Sequence, residues 1–292
     1  MFNEGFEQFF ERVLFESLGE DTEVISYQFL SGGCINISAK LLTEAGYFFV
    51  KWNETAPSDL FEKEAIGLQI LKESDAAQIP TFIKYGKVDG KHFLLLEYVE
   101  PSHEKEDFWE DFGVKIAKLH SQKCANFGLV SDNYIGSLLQ TNVPSKDWFD
   151  FFLRQRLMAQ AGLAYYNQLL SKEMLHKLEK LGEKLPSLLV NEPPSLIHGD
   201  LWSGNFIPGN NGEVCLIDPA VYYANREIEI AFTMLFGGFD NRFYSSYFEA
   251  LPVEKGFAER SAIYNLYPLL VHVNLFGGSY VTGVEKVLKK YI

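Results

Sequence analysis

The side chains best suited to chemistry cluster in His198-Gly199-Asp200-Leu201-Trp202-Ser203-Gly204-Asn205, followed by Leu216-Ile217-Asp218-Pro219. An Asp with an Asn five residues on, and then a second Asp closing a short apolar segment, is what phosphoryl transfer from a metal-bound nucleotide requires. That reaction depends on positioning and charge neutralisation more than on covalent catalysis. In this reading Asp200 accepts the proton of the acceptor hydroxyl, while Asn205 and Asp218 offer hard oxygen ligands to Mg2+. Any one of them alone would read as an Asx-rich surface turn. The ordered set, bounded by strand-like pieces, carries the functional reading. His198 reads as a structural histidine bonding loop carbonyls, not as the base.

A nucleotide also needs a cation on its phosphates, held by a carboxylate from a neighbouring helix. Lys51 closes an apolar strand and Glu64 lies in the first half of the following helix, the order expected of that pair, with Glu62 as the competing partner. By itself a lysine at a strand end is a solvated edge residue. Ser31-Gly32-Gly33-Cys34-Ile35-Asn36 joins two strands. Its Gly32 and Gly33 suit a backbone nest over phosphates and a plain hairpin turn equally well. Cys34 reads as a small space-filler in preference to an oxidisable thiol. Glu97-Tyr98-Val99 leaves an apolar strand, where the backbone groups of Glu97 and Val99 would meet adenine; a simple strand end is the alternative.

Other chemistries lack their residues. The six histidines are dispersed, and His103-Glu104 has no second histidine to complete a zinc helix. Ser203 lacks the flanking glycines of a nucleophile elbow. With 26 basic and 39 acidic residues the net charge is −13, the wrong sign for a nucleic-acid partner. The amino terminus carries no basic n-region and no apolar run approaches the ~20 residues of a membrane span, so neither export nor a membrane partner is expected. Three scattered cysteines suit a reducing cytoplasm, which makes the glycosylation-type matches at Asn36 and Asn53 chance.

The elements that must position these groups follow from periodicity. Phe2, Phe6, Phe9, Phe10, Val13 and Leu14 recur at helical spacing. Residues 23–52 then read as a three-stranded meander, 59–73 as a helix capped by Ser58 or Asp59, and 82–88 with 92–99 as a hairpin about Asp89-Gly90. After Pro101 helices dominate, at 107–120, 147–160 and 171–185. Short strands follow at 196–198, 205–207 and 214–217, and helices resume from Arg226. The fold class is α+β, with a sheet-rich lobe over 1–100 and a larger helical lobe over 101–292. At 292 residues and 47% hydrophobic, the chain can bury such cores.

These residues resemble the fructosamine kinases, or ketosamine 3-kinases, relatives of aminoglycoside and choline phosphotransferases with a two-lobed protein-kinase-like fold. The likeness runs through His198 to Asn205, Ile217 to Tyr223 with Arg226-Glu227, Asn133-Tyr-Ile-Gly-Ser137, Gln140, Asn142, Trp148-Phe149 to Arg156-Leu157, and Gly32, Gly33, Lys51 and Glu64. The resemblance implies transfer of the ATP γ-phosphate, with Mg2+, to the 3-hydroxyl of a small or protein-attached ketosamine. The product then decomposes to release the amine, a deglycation repair. Trp202, Trp148, Tyr222, Tyr223 and Arg226 are the expected substrate contacts, each with a core role as the alternative. Ala224-Asn225 stands where the family has Gly-His, a departure expected to act on substrate. Rivals are an aminoglycoside- or choline-type phosphotransferase and a nucleotide-binding pseudokinase. A protein kinase is disfavoured: Gly199 replaces the arginine of the His-Arg-Asp loop, and little chain separates Asp218 from the next helix.

Overall fold

Side chains of a strand alternate between faces, and β3 shows what that alternation accomplishes. In the computed structural model, which describes residues 4–30 and 36–292, β1 (Val24–Leu30), β2 (Ile37–Thr43), β3 (Gly46–Asn53), β4 (Phe82–Val88) and β5 (Lys91–Glu97) form an antiparallel sheet of order β1-β2-β3-β5-β4. Phe48, Val50 and Trp52 of β3 pack under helix α1 (Glu4–Leu18), joining Phe9, Phe10, Val13 and Leu14 in one buried cluster. Each such ring taken from water contributes about 1.5–3 kcal/mol. Phe49 and Lys51 point to the opposite face, towards α2 (Leu60–Glu73) and the remainder of the chain. Helix α2 buries Leu60, Ala65, Leu68 and Leu71 in the second and larger cluster, which continues through the helical part to Leu288.

That part comprises α3 (Phe108–His120), the hairpin β6 (Asn133–Ile135) and β7 (Leu138–Gln140), α4 (Trp148–Phe151), a π-helical segment (Phe152–Met158), α5 (Ala159–Tyr166) and α6 (Lys172–Leu188). Next come β8 (Ser195–Ile197), β9 (Phe206–Pro208), β10 (Val214–Leu216) and β11 (Tyr222–Ala224), pairing as β10-β9 and β11-β8. Helices α7 (Glu227–Leu235), α8 (Asn241–Ala250), α9 (Phe257–Tyr264), α10 (Leu266–Phe276) and α11 (Val281–Tyr291) complete the chain. No helix among the described residues is long and apolar enough to cross a membrane.

Several expectations need correction. Asp59 precedes α2 without capping it; its carboxylate accepts the Tyr134 hydroxyl at 2.7 Å instead. Strand β5 stops at Glu97, leaving Val99 outside the strand. The helix expected over 147–160 is wound in three pieces and continues to Tyr166, with its π-helical centre giving no signal in apolar spacing. The hairpin β6-β7 and strand β11, each strand three residues long, were not among the expected strands.

Candidate active site

Lys51 is only 4% exposed, and its ammonium lies 2.5 Å from Glu64 and 2.7 Å from Asp218. Burial favours the neutral amine, but the two carboxylates outweigh it and hold the group above its usual range as a cation. Helix α2 thus supplies the partner expected, Glu64 and not Glu62. The second partner, Asp218, reaches across from the segment after β10 and keeps its side chain half-exposed.

The loop after β8 is pinned from several sides. His198 is fully buried; its Nε2 donates to the Ile217 carbonyl at 3.0 Å, and its Nδ1 accepts the Asp200 amide at 3.3 Å. It is therefore structural, as its position suggested. Gly199 adopts φ +86°, and a side chain there would collide with the Ala220 carbonyl, which excludes the arginine of a protein-kinase loop on steric grounds. The Asn205 amide donates from Nδ2 to both the carboxylate and the carbonyl of Asp200, each at 2.8 Å. That orientation leaves its carbonyl oxygen for a cation. Burial pushes the Asp200 carboxyl up to about 7, opposed by the Asn205 hydrogen bond and reinforced by Asp218 and Glu229, a value suited to a base working near neutrality. Asp218 itself sits at φ +53°, a left-handed conformation that costs a non-glycine residue about 1–2 kcal/mol and that its surroundings must impose.

One supporting residue went unnoticed in the sequence. Glu229 of α7, 2% exposed, accepts the amides of His198 at 3.1 Å and Gly199 at 2.7 Å, and lies 2.8 Å from His120 Nε2. His120 Nδ1 meets the Tyr247 hydroxyl at 2.8 Å, which in turn accepts from Arg226 at 3.0 Å. Burial opposes the charge on Glu229, but His120 and the loop amides hold its carboxyl below the usual range. Burial likewise lowers the His120 pKa, against the pull of Glu229. Glu229 lies some thirty residues from the loop it holds, so no local motif could reveal it.

The expected substrate contacts divide. Trp148 is fully buried between Phe151 and Phe152. Tyr222, 1% exposed, lies beneath the Arg156 guanidinium at 3.9 Å. Arg226 is engaged by Glu192 at 2.8 Å, Tyr247 and the carbonyls of Leu251 and Pro252. All three are buried, Trp148 at the start of α4, Tyr222 in β11 and Arg226 just before α7, and each packs or pairs within the protein. Trp202 and Tyr223 keep solvent-facing surface, the Trp202 indole lying over Gly204 where any side chain would collide. Asn225 is fully buried, its Oδ1 accepting the Glu227 amide at 3.0 Å and its Nδ2 donating to the Val190 carbonyl at 2.9 Å. The Ala224-Asn225 departure is thus a helix-start and packing feature. Glu97 ends β5, its amide donating to the Thr81 carbonyl at 2.9 Å, and Val99 is buried just beyond. Gly32, Gly33 and Cys34 lie outside the described residues.

Fold and site together define a phosphotransferase of the protein-kinase-like class. A thermostable mutant of an aminoglycoside phosphotransferase shares that fold at a TM-score of 0.62 and 15% identity, covering 96% of this chain and 98% of that one. The chain belongs to the fructosamine kinase family, whose model matches residues 7–292. A Synechocystis protein named "Probable ketoamine kinase" is 36% identical over 94% of this chain and 93% of its own length. The chloroplastic protein-ribulosamine 3-kinase of indica rice is 34% identical over 94% of this chain and 81% of its own length. A solved structure from Haemophilus somnus, assigned as a fructosamine-3-kinase, matches at TM-score 0.87 and 30% identity over 97% of this chain and 96% of that one. The protein is an ATP-dependent phosphotransferase.

Proposed function

We propose that the enzyme transfers the γ-phosphoryl group of ATP to the 3-hydroxyl of a ketosamine, free or protein-attached, in the cytoplasm, as a step in removing sugar adducts from amines. The carrying observation is the continuous set Glu64–Lys51–Asp218 and Asp200–Asn205, each pair within hydrogen-bonding distance. Asp200 orients the acceptor hydroxyl and takes its proton as the new O–P bond forms and ADP departs. Lys51 positions the phosphates, and Glu64 holds Lys51. Gly32 and Gly33 are the residues proposed for the phosphates, and the backbone at Glu97 and Val99 is proposed for adenine.

One carboxylate and one amide oxygen suit Mg2+, which is commonly held by few protein oxygens together with substrate phosphates. Asn205 and Asp218 would hold it; when bound, the ion neutralises phosphate charge. Asp218 would hold it with the carboxylate that also faces Lys51 at 2.7 Å. Trp202 and Tyr223 are the residues for acceptor contact. The lobes 1–100 and 101–292 enclose this cleft between them.

An ATP-consumption screen over ribulose-, erythrulose- and fructose-lysine, with phosphate position read by NMR, tests the reading. ATP turnover confined to aminoglycosides or amino alcohols would replace it. Nucleotide binding without any transfer would favour a pseudokinase.

A further inference from the structure

Four residues of the middle region and Tyr267 of α10 play no part in the reaction described above, yet they form a single buried network. Arg156, fully buried on the π-helical segment, donates to the Thr141 carbonyl and to Asn142 Oδ1, each at 2.6 Å. Asn142 Nδ2 donates to Asn133 Oδ1 at 2.9 Å, and Gln140 Nε2 reaches the same oxygen at 2.8 Å. The Tyr267 hydroxyl of α10 donates to Gln140 Oε1 at 2.6 Å. None of the five is more than 5% exposed, so none faces solute.

Two further hydrogen bonds of the network converge on one place. Gln140 Nε2 donates to the Ala220 carbonyl at 3.1 Å, and Asn133 Nδ2 to the Val221 carbonyl at 2.8 Å. Those carbonyls follow Asp218-Pro219 directly. On the other side, His198 and Asn205 fix Ile217 through its carbonyl and its amide, both at 3.0 Å, while the Ala220 amide donates to the His198 carbonyl at 2.9 Å. The left-handed turn at Asp218 is thereby gripped at both ends. Arg156 suits the anchor position because its planar fork satisfies several carbonyls while its face lies on the rings of Tyr222 at 3.9 Å and Phe151 at 4.7 Å.

We propose that the Asn133–Gln140–Asn142–Arg156–Tyr267 network is the positioning device for the metal-binding carboxylate: it holds Ala220 and Val221, and through them the turn that aims Asp218 into the cleft. The inference rests on the reading of Asp218 as a metal ligand. Polar groups that orient a ligand from behind commonly set metal affinity. A network serving only packing would set stability alone.

The test is calorimetric titration of ADP into the intact enzyme with and without Mn2+. Wild type gains ADP affinity from Mn2+. Tyr267→Phe, which removes one hydroxyl, and Gln140→Leu each lose ~10-fold of that gain while metal-free ADP affinity stays within about twofold. Leu178→Ala, a core truncation in α6, lowers the unfolding temperature and keeps the full Mn2+ effect. If both network variants retain the wild-type Mn2+ effect, or Leu178→Ala loses as much, the positioning role is overturned while the metal reading stands. Absence of any Mn2+ effect in wild type overturns both.

Discussion

At the scale of single residues, the proposed reaction makes Asp200 the group on which turnover depends. It has the raised pKa of a buried carboxyl, a fixed orientation from Asn205, and a cation in the same cleft to manage phosphate charge. Asp200→Asn preserves shape and removes basicity, so kcat falls ~10²–10⁴-fold while ADP affinity is unchanged, as steady-state kinetics and titration will show. Lys51, Glu64 and Asp218, and Asp200 with Asn205, were picked out in the sequence by residue type and spacing, and the structure brings the members of each group together. Trp148, Tyr222 and Arg226 were misread for the same reason. They adjoin the motifs, but whether an aromatic or an arginine faces solute depends on which way a three-residue strand or an irregular helix turns, and local spacing does not record that.

At the scale of elements, α7 braces the loop after β8 that carries the proposed base. Glu229→Gln keeps the side-chain length but replaces a carboxylate that accepts two loop amides; hydrogen bonds to a charged group contribute about 1.5–3 kcal/mol. The variant will unfold several degrees earlier and lose kcat with little change in nucleotide affinity. The same brace sets the acid limit of the fold. His120 and Glu229 both have folded pKa values below their model-compound values of 6.5 and 4.5. Protonation of either group therefore favours the unfolded chain. Stability from His120 is complete above pH 6.5 and is lost as pH falls through its depressed folded pKa, and stability from Glu229 is lost in the same way below pH 4.5. Asp200 and Glu64 oppose this loss, since burial raises both carboxyls to about 7 and their protonation favours the folded chain, so urea midpoints will fall more steeply on acidification in Asp200→Asn than in wild type. The five-stranded sheet and the long helices of this chain were legible from their periodicity, whereas β11, the hairpin β6-β7 and the π-helical segment, the last two carrying Asn133, Gln140 and Arg156 of the buried polar network, were not.

At the scale of the molecule, the sheet presents one face to α1 and the other to a cleft, and the net charge of −13 surrounds a site whose own cation is the buried Lys51. A cationic ketosamine is drawn to such a surface and a neutral one is not, so KM for the cationic acceptor will rise with ionic strength while KM for the neutral acceptor stays level. The change of period after Pro101 is the sequence signal behind the expected two-lobed plan. The packing of α2 into the larger cluster was not, since an amphipathic helix shows which face is apolar and not which partner covers it. The most direct test of the whole account is NMR of ribulose-lysine incubated with ATP, Mg2+ and either wild type or Asp200→Asn. The account predicts phosphate on the 3-hydroxyl with wild type and almost none with the variant. Phosphate elsewhere, no phosphorylated ketosamine, or equal product from Asp200→Asn would contradict it.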